Sequence, residues 1–447
     1  MKKRNQKRTP SQILLILFLV IILIGTIVLM LPISTPKGEV GISFLEALFT
    51  STSAVSVTGL SVLDVSKTFS TFGKTIIMIL FQLGGLGIMT FSSIIMFLIG
   101  RKITYQEKRI LQEDLNQETV GGIIKFIKRL ISMVFIIEGI GAILLFLCFR
   151  KDFEVGEAIY YAVFHSISAF CNAGFSLFSN SFEGYKDNYI INYTISILII
   201  LGGIGFAVID TVIQNIKRKG RKKSFSLTSR MAVKLSLALI IIGTICIYFF
   251  EYSNIKTIGN FNEIDKMTTS FFQSVTARTA GFNTINIGLM KPATIFLFLF
   301  LMFIGASPGS TGGGIKTTTV GVIFYSVWAT LRNKPDINIK NRRISWHTLN
   351  RAITILFISF MYIFLITLVI LVIEEKDFTQ TLFEVVSAFG TVGISMGITS
   401  SLTDFSRILI ILTMFVGRVG PLTAALAFGE TTKRPKHKYP EENILVG

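Results

Sequence analysis

Apolar stretches alternate with short polar segments along almost the whole chain. A helix needs about 20 apolar residues to cross the hydrocarbon core of a bilayer, and the pattern predicts eight such spans. The predicted spans are residues 11–32, 75–99, 130–149, 189–213, 232–250, 293–328, 350–373 and 405–428. A composition with 51% hydrophobic and only 16% charged residues favours an all-α integral membrane protein over a soluble one.

The basic residues occupy regular places between the predicted spans. Most of the 44 lysines and arginines fall in five segments, and two spans separate each segment from the next. The segments are 1–10, 100–130, 215–234, 331–351 and 430–447. Because basic loops stay on the cytoplasmic side, they predict a multi-pass protein of the cytoplasmic membrane with both termini in the cytoplasm. The same placement makes membrane lipid, and not nucleic acid, the expected partner of the net charge of +18.

A motif with a glycine next to its last residue recurs four times. The copies are "FTSTSAVSVTGL", "FHSISAFCNAGF", "FFQSVTARTAGF" and "FEVVSAFGTVGI", which end at Leu60, Phe175, Phe282 and Ile394. Each copy lies between two predicted spans, and a repeat of about 110 residues indicates duplication of a structural module. The predicted units are residues 1–100, 101–220, 221–345 with a broken second helix, and 346–447 with a cytoplasmic tail.

The stretch before each glycine, such as "FLEALFTSTSAV" at residues 44–55, is too short to cross a bilayer. We expect it to enter the membrane and return, because non-helical backbone at that depth must be buried in protein or line a cavity. Four such pore loops predict a pseudo-fourfold arrangement of helix, pore loop and helix around a central ion pore. Glycine tolerates the dihedral angles that turn carbonyls towards one axis, and carbonyls can replace the water of a dehydrated cation.

The second helix of each unit carries a cluster of small residues. For "LGGLG" at residues 83–87 and "LGGIG" at residues 201–205, close helix packing is a sufficient explanation. The stretch "GASPGSTGGGIKT" at residues 305–317 is different, because its proline and clustered glycines cannot form an intact helix. A break at membrane depth predicts a loop that lines a cavity or a pathway.

With these features the chain resembles the Trk/Ktr/HKT superfamily of potassium transporters, and most closely the Ktr-type membrane subunit. The four glycine motifs carry the resemblance over nearly the whole chain. It implies K⁺ uptake across the cytoplasmic membrane through a selectivity filter of backbone carbonyls, and glycine in all four motifs is the potassium-preferring pattern. The implied filter residues, where K⁺ would bind, are Val57, Thr58, Gly59, Asn172, Ala173, Gly174, Thr279, Ala280, Gly281, Thr391, Val392 and Gly393.

The resemblance also implies a gate below the filter. In the family, an intramembrane loop blocks the pore and an arginine of the last helix contacts that loop. The residues carried over to this role are Gly305, Ala306, Ser307, Pro308, Gly309, Ser310, Thr311, Gly312, Gly313, Gly314, Lys316 and Arg418. The Ktr type further implies a homodimer and a cytosolic, nucleotide-binding RCK-type regulatory subunit, so nucleotide acts only through that partner. A dependence on Na⁺ stays open.

Two further charges lie in the predicted spans and motifs. For Glu138, in "VFIIEGIGA", a structural ion pair and a role in ion movement both remain open. Arg278 lies three residues before the third motif glycine. Because an arginine on the conduction path would repel K⁺, we expect it to face away from the pore and to hold a half-helix by hydrogen bonds.

Other classes of protein fit the sequence less well. The alternative is a secondary transporter of another cation or a small solute, also built on broken helices. That class shows two halves with interrupted helices, whereas this chain shows four units. We expect no enzyme, because there is no paired aspartate, HExxH or Ser/His pattern. Three cysteines and three widely spaced histidines give no other metal site.

Overall fold

The computed structural model describes residues 10–36, 41–87, 122–217, 225–339, 342–428 and 442. These ranges contain sixteen α-helices, and the predicted all-α fold is confirmed. The helices are α1 (Pro10–Leu29), α2 (Phe44–Val55), α3 (Val65–Thr68), α4 (Thr71–Leu86), α5 (Ile123–Phe149), α6 (Val155–Cys171), α7 (Tyr189–Gly203), α8 (Phe206–Lys217), α9 (Leu227–Glu251), α10 (Glu263–Thr276), α11 (Pro292–Phe303), α12 (Thr317–Leu331), α13 (Trp346–Ile373), α14 (Phe378–Gly390), α15 (Asp404–Val419) and α16 (Pro421–Phe428). Two short antiparallel strands, β1 (Asn338–Ile339) and β2 (Arg342–Arg343), lie between α12 and α13.

The helices form four groups of one plan, which we call quarters one to four: α1–α4, α5–α8, α9–α12 and α13–α16. Each quarter begins with a helix long and apolar enough to cross a membrane. A short helix of 12 to 17 residues follows, and we call α2, α6, α10 and α14 the pore helices. At about 1.5 Å per residue, a pore helix cannot span the hydrocarbon core alone. The unit boundaries stay a prediction, because 88–121 and 218–224 lie outside the described residues.

The quarters close into a circle. Helix α4 of quarter one packs on pore helix α6 of quarter two, and α7 packs on α10 in the same way. Helix α11 then packs on α14, and α15 returns to pore helix α2 of quarter one. The apolar helix after each pore helix (α4, α7, α11 or α15) therefore supports the pore helix of the next quarter. This closed circle is the pseudo-fourfold arrangement expected from the sequence.

Three pore helices are tied to the long helix before them by an equivalent serine. The serine hydroxyl donates to a backbone carbonyl of that helix at 2.6–2.8 Å. The pairs are Ser51 with Ile22, Ser166 with Glu138, and Ser274 with Ile240. A glycine three residues after each carbonyl leaves room for the serine, since an added Cβ would meet the hydroxyl oxygen. The same local contact in three quarters supports descent from one repeated module.

The apolar helix after the pore helix is interrupted in quarters two, three and four, so the prediction of eight continuous spans is wrong at two further places. Helix α4 ends at Leu86, and residues 88–99 of predicted span 75–99 lie outside the described ranges. Predicted span 189–213 is two helices, α7 and α8, that meet at 103°. Predicted span 405–428 is divided into α15 and α16. The break between α11 and α12 is the one that the sequence predicts.

Both unpredicted interruptions have a glycine in a left-handed conformation. The φ angles are 101° at Gly205 and 94° at Gly420, and Gly87, which follows the last residue of α4, has a φ of 84°. Glycine adopts such angles without a side-chain clash, whereas other residues rarely do. Single glycines within apolar runs are equally typical of close helix packing, so hydropathy alone does not distinguish the two cases.

The outer surface of the circle is apolar. Ile143, Phe249 and Phe357 on three of the long helices are 62%, 68% and 63% exposed. Exposed apolar surface on this scale is typical of a protein that contacts lipid. Hydroxyl-rich stretches of the pore helices, directly before the motif glycines, are instead buried inside the protein.

Candidate functional site

A turn with two left-handed residues follows each pore helix. The first is Val57, Asn172, Thr279 or Thr391, with φ of 56°, 59°, 71° and 50°. The second is the motif glycine two positions later, Gly59, Gly174, Gly281 or Gly393, with φ of 89°, 70°, 84° and 88°. A non-glycine residue in this conformation costs roughly 1–2 kcal/mol. Strain repeated at four equivalent positions indicates a functional demand on the backbone.

The four motif glycines, which we call the glycine ring, close on one another. A Cβ atom added to Gly59 would meet the carbonyl oxygen of Ala173 and lie 3.1 Å from the Cα of Gly174. An added Cβ on each of the other ring glycines would likewise approach a carbonyl oxygen and the Cα of a ring glycine in the next quarter. The partners are Ala280 and Gly281 for Gly174, Val392 and Gly393 for Gly281, and Thr58 and Gly59 for Gly393. Backbone carbonyls from all four quarters therefore lie in the space around one axis, and a side chain on any ring glycine would enter it.

A hydroxyl side chain of each pore helix holds the turn in place. Ser53 and Ser387 accept hydrogen bonds from the N–H groups of their own ring glycines, both at 3.1 Å. Ser168 and Thr276 donate to the carbonyl after the ring glycine, at 2.8 and 2.6 Å. The prediction did not include these residues. Their signal in the sequence is a serine or threonine directly before an alanine in every motif copy.

One side of the glycine ring opens into a cavity of about 510 Å³, which we call the vestibule. All four ring glycines line it. Among the described lining residues, the charged ones are Asp64 and Glu183, both acidic. Burial raises the pKa of the Asp64 carboxyl, but hydrogen bonds from Ser66 and Ser179 outweigh burial and leave that pKa below its usual value. The vestibule therefore presents negative charge to an approaching cation.

Residues 304–316, which we call the crossing loop, join α11 to α12 and are held by quarter two. The backbone hydrogen bonds are Ser307 N–H to Gly203 at 3.0 Å, Thr311 N–H to Gly202 at 3.2 Å, and Phe206 N–H to Gly309 at 2.7 Å. The sharp bend between α7 and α8 makes room for the loop, because a Cβ on Gly205 would lie 2.8 Å from the carbonyl of Pro308. The unpredicted interruption of quarter two is thus a docking place for the predicted loop.

The crossing loop lies beside the turns of the glycine ring and does not line the vestibule. The N–H of Gly313 donates to the hydroxyl of Thr391 at 2.9 Å. A Cβ on Gly312 would meet the hydroxyl of Thr279, which is itself 3.1 Å from the side-chain amide of Asn172. The loop therefore approaches the ring from the side opposite the vestibule, at the residues just before the ring glycines.

Arg418 of α15 connects the crossing loop to quarter one. One guanidinium nitrogen donates to the carbonyl of Thr311, and another donates to the carbonyl of Gly84 in α4. Lys316 adds a second cation, and its ammonium group donates to the carbonyl of Gly312 at 2.7 Å. A rigid guanidinium fork can hold two carbonyls at once.

The other predicted gate residues build the loop itself. The N–H of Ala306 donates to the carbonyl of Gly313 at 3.3 Å, and the hydroxyl of Ser310 donates to the carbonyl of Ser307 at 2.6 Å. Gly305 approaches Gly313 so closely that a Cβ would meet its carbonyl oxygen. The structure thus brings all predicted filter residues together at the ring and all predicted gate residues together beside it.

Arg278 and Glu138, the two charged residues that the sequence places outside the filter and the gate, have different hydrogen-bond partners. Arg278 donates to the backbone carbonyl and the hydroxyl of Ser236 in α9, at 3.2 and 3.1 Å, so the expected hydrogen bonds are present. Glu138 is 4% exposed and accepts from the amide of Gln82 in α4, with both carboxylate oxygens at 3.1 Å. In the part of the chain that the structure describes, Glu138 forms no ion pair. Both readings of Glu138, a structural ion pair and a role in ion movement, therefore stay predictions.

These features define a multi-pass membrane protein with an ion pathway. Four re-entrant helices direct backbone carbonyls at one axis, an acidic vestibule lies on one side of the ring, and a loop lies on the other. The model of the TrkH family, described as a cation transport protein, matches residues 2–438. The chain belongs to this family, and the resemblance drawn from the sequence is confirmed.

Individual relatives agree with this assignment. The chain is 42% identical to the "Ktr system potassium uptake protein B" of Bacillus subtilis, over 98% of this chain and 97% of that protein. It is 36% identical to the "Potassium/sodium uptake protein NtpJ" of Enterococcus hirae, over 100% of this chain and 99% of that protein. The crystal structure of the potassium transporter TrkH from Vibrio parahaemolyticus matches with a TM-score of 0.75 and 18% identity, over 96% of this chain and 86% of that one.

Proposed function

We propose that this protein takes up K⁺ across the cytoplasmic membrane, and that the glycine ring is its selectivity filter. The closed ring of left-handed glycines at the floor of an acidic vestibule carries this proposal. Both relatives named above are described as potassium uptake proteins, one of them also for sodium. The vestibule faces outwards and the basic segments face the cytoplasm, with both termini inside.

Selection depends on the exchange of water for carbonyl oxygen. A cation that enters the ring loses its hydration shell, and the carbonyls of Thr58, Ala173, Ala280 and Val392 replace it. The pore helices end at the turns before the ring, and a helix C-terminus carries roughly half an elementary negative charge. Asp64 and Glu183 raise the local cation concentration before entry, since fields in a narrow acidic cavity attract counter-ions.

The crossing loop is the gate, and its position next to the ring supports a blocking role. Its residues lie directly behind the ring, against Thr279 and Thr391. Arg418 latches it through the carbonyl of Thr311 and places a positive charge near the path. Repulsion between that charge and K⁺ is strong where little water screens it. Conduction requires the loop to leave the guanidinium group, so the gate opens by movement of residues 304–316.

The protein works as a homodimer with a cytosolic RCK-type subunit, which binds nucleotide and moves the crossing loop. Support for both partners comes from the family resemblance. Between α12 and α13, one helix after the crossing loop, there are four exposed basic residues that offer a docking place: Arg332, Lys334, Arg342 and Arg343. Anionic lipid on the same face would also meet these residues. The dependence of uptake on Na⁺ is tested in the same rescue experiment as the partner subunit, described below.

Uptake of radioactive rubidium into proteoliposomes tests the proposed function. We expect rubidium uptake that excess K⁺ suppresses and that excess Na⁺ leaves largely unchanged. Labelled amino acids serve as the matched alternative substrate, because a secondary transporter of small solutes would accumulate them instead. Accumulation of amino acids without rubidium uptake would contradict the proposal. Rescue of a potassium-uptake-deficient bacterial strain, with and without Na⁺ and the partner subunit, then tests the regulation.

A further inference from the structure

One position of the pore helix holds a different polar residue in every quarter. It lies three residues before the hydroxyl that supports the turn, and its occupants are Thr50, His165, Gln273 and Glu384. All four side chains are buried, with exposures of 0% to 1%. Eleven residues further along, beyond the ring glycine, each quarter has a hydroxyl residue, namely Ser61, Ser176, Thr284 or Ser395. A serine or threonine at the same spacing in four quarters is a pattern that the filter and gate assignments do not explain.

In three quarters the two positions are joined by a hydrogen bond. Glu384 accepts from Ser395 at 2.7 Å and also from Thr399 at 2.5 Å. The amide nitrogen of Gln273 donates to Thr284 at 3.2 Å, while its oxygen has no partner among the described residues. Each bond ties the pore helix to the segment that leaves the ring towards the vestibule.

The histidine of quarter two makes the same connection with a defined tautomer. Its Nδ1 lies 2.7 Å from the carbonyl of Tyr161, which can only accept, so Nδ1 carries the proton. Its Nε2 therefore accepts, from the N–H of Leu177 at 3.2 Å and from the hydroxyl of Ser176 at 3.2 Å. The ring stacks on Phe178 at 4.7 Å between centroids, which fixes its orientation.

Quarter one lacks the connection. The Thr50 hydroxyl donates to the carbonyl of Glu46 in its own helix at 2.9 Å, and Ser61 bonds to the carbonyl of Leu63. Threonine is too short to span the gap that histidine, glutamine and glutamate span. A side-chain hydrogen bond thus connects the pore helix to the vestibule side of the ring in quarters two, three and four, but not in quarter one.

We propose that His165, Gln273 and Glu384 are positioning residues that clasp the vestibule side of the glycine ring and determine its preference for K⁺ over Na⁺. The proposal rests on the proposed function of the ring as a potassium filter. Where selectivity comes from the size of the cavity, a carbonyl ring discriminates between cations because its oxygens resist collapse onto the smaller ion. The clasps provide that resistance outside the ring, where the hydroxyls of the turn do not reach. Glu384 contributes most, because it alone of the three holds two hydroxyls beyond the ring, those of Ser395 and Thr399.

The test compares Glu384 with its unclasped counterpart. Purified protein in proteoliposomes is assayed for rubidium uptake, giving the maximal rate, the apparent Michaelis constant and inhibition by Na⁺. For Glu384→Leu and Ser395→Ala we expect the preference for rubidium over Na⁺ to fall by roughly tenfold, the factor that corresponds to about 1.4 kcal/mol. The maximal rate should change far less. Glu384→Gln keeps one acceptor and should restore part of the preference. Thr50→Val, the matched control, should leave it unchanged.

A double variant separates positioning from general damage. Because Glu384→Leu already removes the hydrogen bond to Ser395, adding Ser395→Ala to Glu384→Leu should cause no further loss of selectivity. Should Glu384→Leu fail to fold, Ser395→Ala against Thr50→Val decides the matter alone. Unchanged selectivity in Ser395→Ala, or an equal loss in Thr50→Val, would overturn the clasps. A wild-type protein without preference for rubidium over Na⁺ would instead defeat the proposed function.

Discussion

The glycine ring and the crossing loop lie next to each other but are built in opposite ways. Each quarter contributes one glycine, one left-handed residue and one supporting hydroxyl to the ring. The crossing loop belongs to quarter three alone, and a single arginine of quarter four, Arg418, donates a hydrogen bond to it. In the proposed function this difference has a simple reason. A spherical ion must be surrounded to be selected, so all four quarters contribute to the ring, whereas one obstacle from one quarter is enough to block the path.

The comparison predicts that ring variants change which ion passes, whereas loop variants change how much passes. Selectivity and flux are thus separate readouts of the two regions.

Gly59→Ser should reduce the preference for K⁺ over Na⁺ by more than roughly tenfold, because the added Cβ would meet the carbonyl of Ala173 at a backbone φ of 89°. Rubidium uptake with Na⁺ competition measures it. Gly397→Ser is the matched control, since Gly397 also has a positive φ of 95° but nothing within 4 Å of an added Cβ. Equal losses in both variants would show that strain, and not obstruction of the ring, causes the effect.

Arg418→Ala should raise rubidium flux by roughly tenfold in the absence of any partner, because it removes both the latch and a charge near the path. Arg418→Lys should give a smaller increase, since lysine keeps the charge but loses the two-carbonyl fork. Ion selectivity should stay at the wild-type value in both. Arg407→Ala, on the same helix beside Asp404, is the control. A correctly folded Arg418→Ala protein with wild-type flux would make the arginine a packing residue.

Gly205→Ala should increase flux by about two- to threefold through a weaker contact between α7, α8 and the crossing loop. The added methyl group would lie 2.8 Å from the carbonyl of Pro308, at a φ of 101°. Gly139→Ala, with nothing near its Cβ position, is the control for a glycine change in an apolar helix. A loss of selectivity with constant flux would assign this bend to the ring instead of the loop.

Asp64→Asn should raise the apparent Michaelis constant for rubidium by about twofold at low ionic strength, and the difference should vanish in concentrated salt. Because hydrogen bonds keep the pKa of Asp64 below its usual value, the carboxylate stays charged as the medium is acidified, and the effect should persist at about pH 5.5. Glu375→Gln, exposed but outside the vestibule, is the control. Equal effects of the two variants would indicate general surface charge.

The sequence was most informative where the structure is repeated. Four copies of a motif, each between two apolar spans, were enough to predict the re-entrant pore helices and the convergence of Gly59, Gly174, Gly281 and Gly393. The broken helix of quarter three was also predictable, because proline and clustered glycines exclude a continuous helix. Repetition and helix-breaking residues are local signals, and a single sequence contains them in full.

Contacts between residues far apart in the chain could not be predicted from the sequence. The amide of Gln82 reaches Glu138 across 56 positions of the chain, and the crossing loop docks at the bend of Gly205 from more than 90 positions away. Neither pairing has a sequence pattern, since an isolated glycine or glutamine in an apolar run fits many environments. The hydroxyls of Ser53, Ser168, Thr276 and Ser387 were visible in the aligned motifs. Their role depends on the backbone geometry of the turn, which the motif does not specify.

The central claim is that carbonyls of the glycine ring hold a dehydrated cation. Anomalous X-ray diffraction from crystals of the protein grown in rubidium salt tests it most directly. We predict a rubidium peak on the axis, among the carbonyl oxygens of Thr58, Ala173, Ala280 and Val392, that disappears when K⁺ replaces rubidium and is not displaced by the same concentration of Na⁺. A well-ordered ring without a peak, with rubidium bound elsewhere in the protein, would contradict the account.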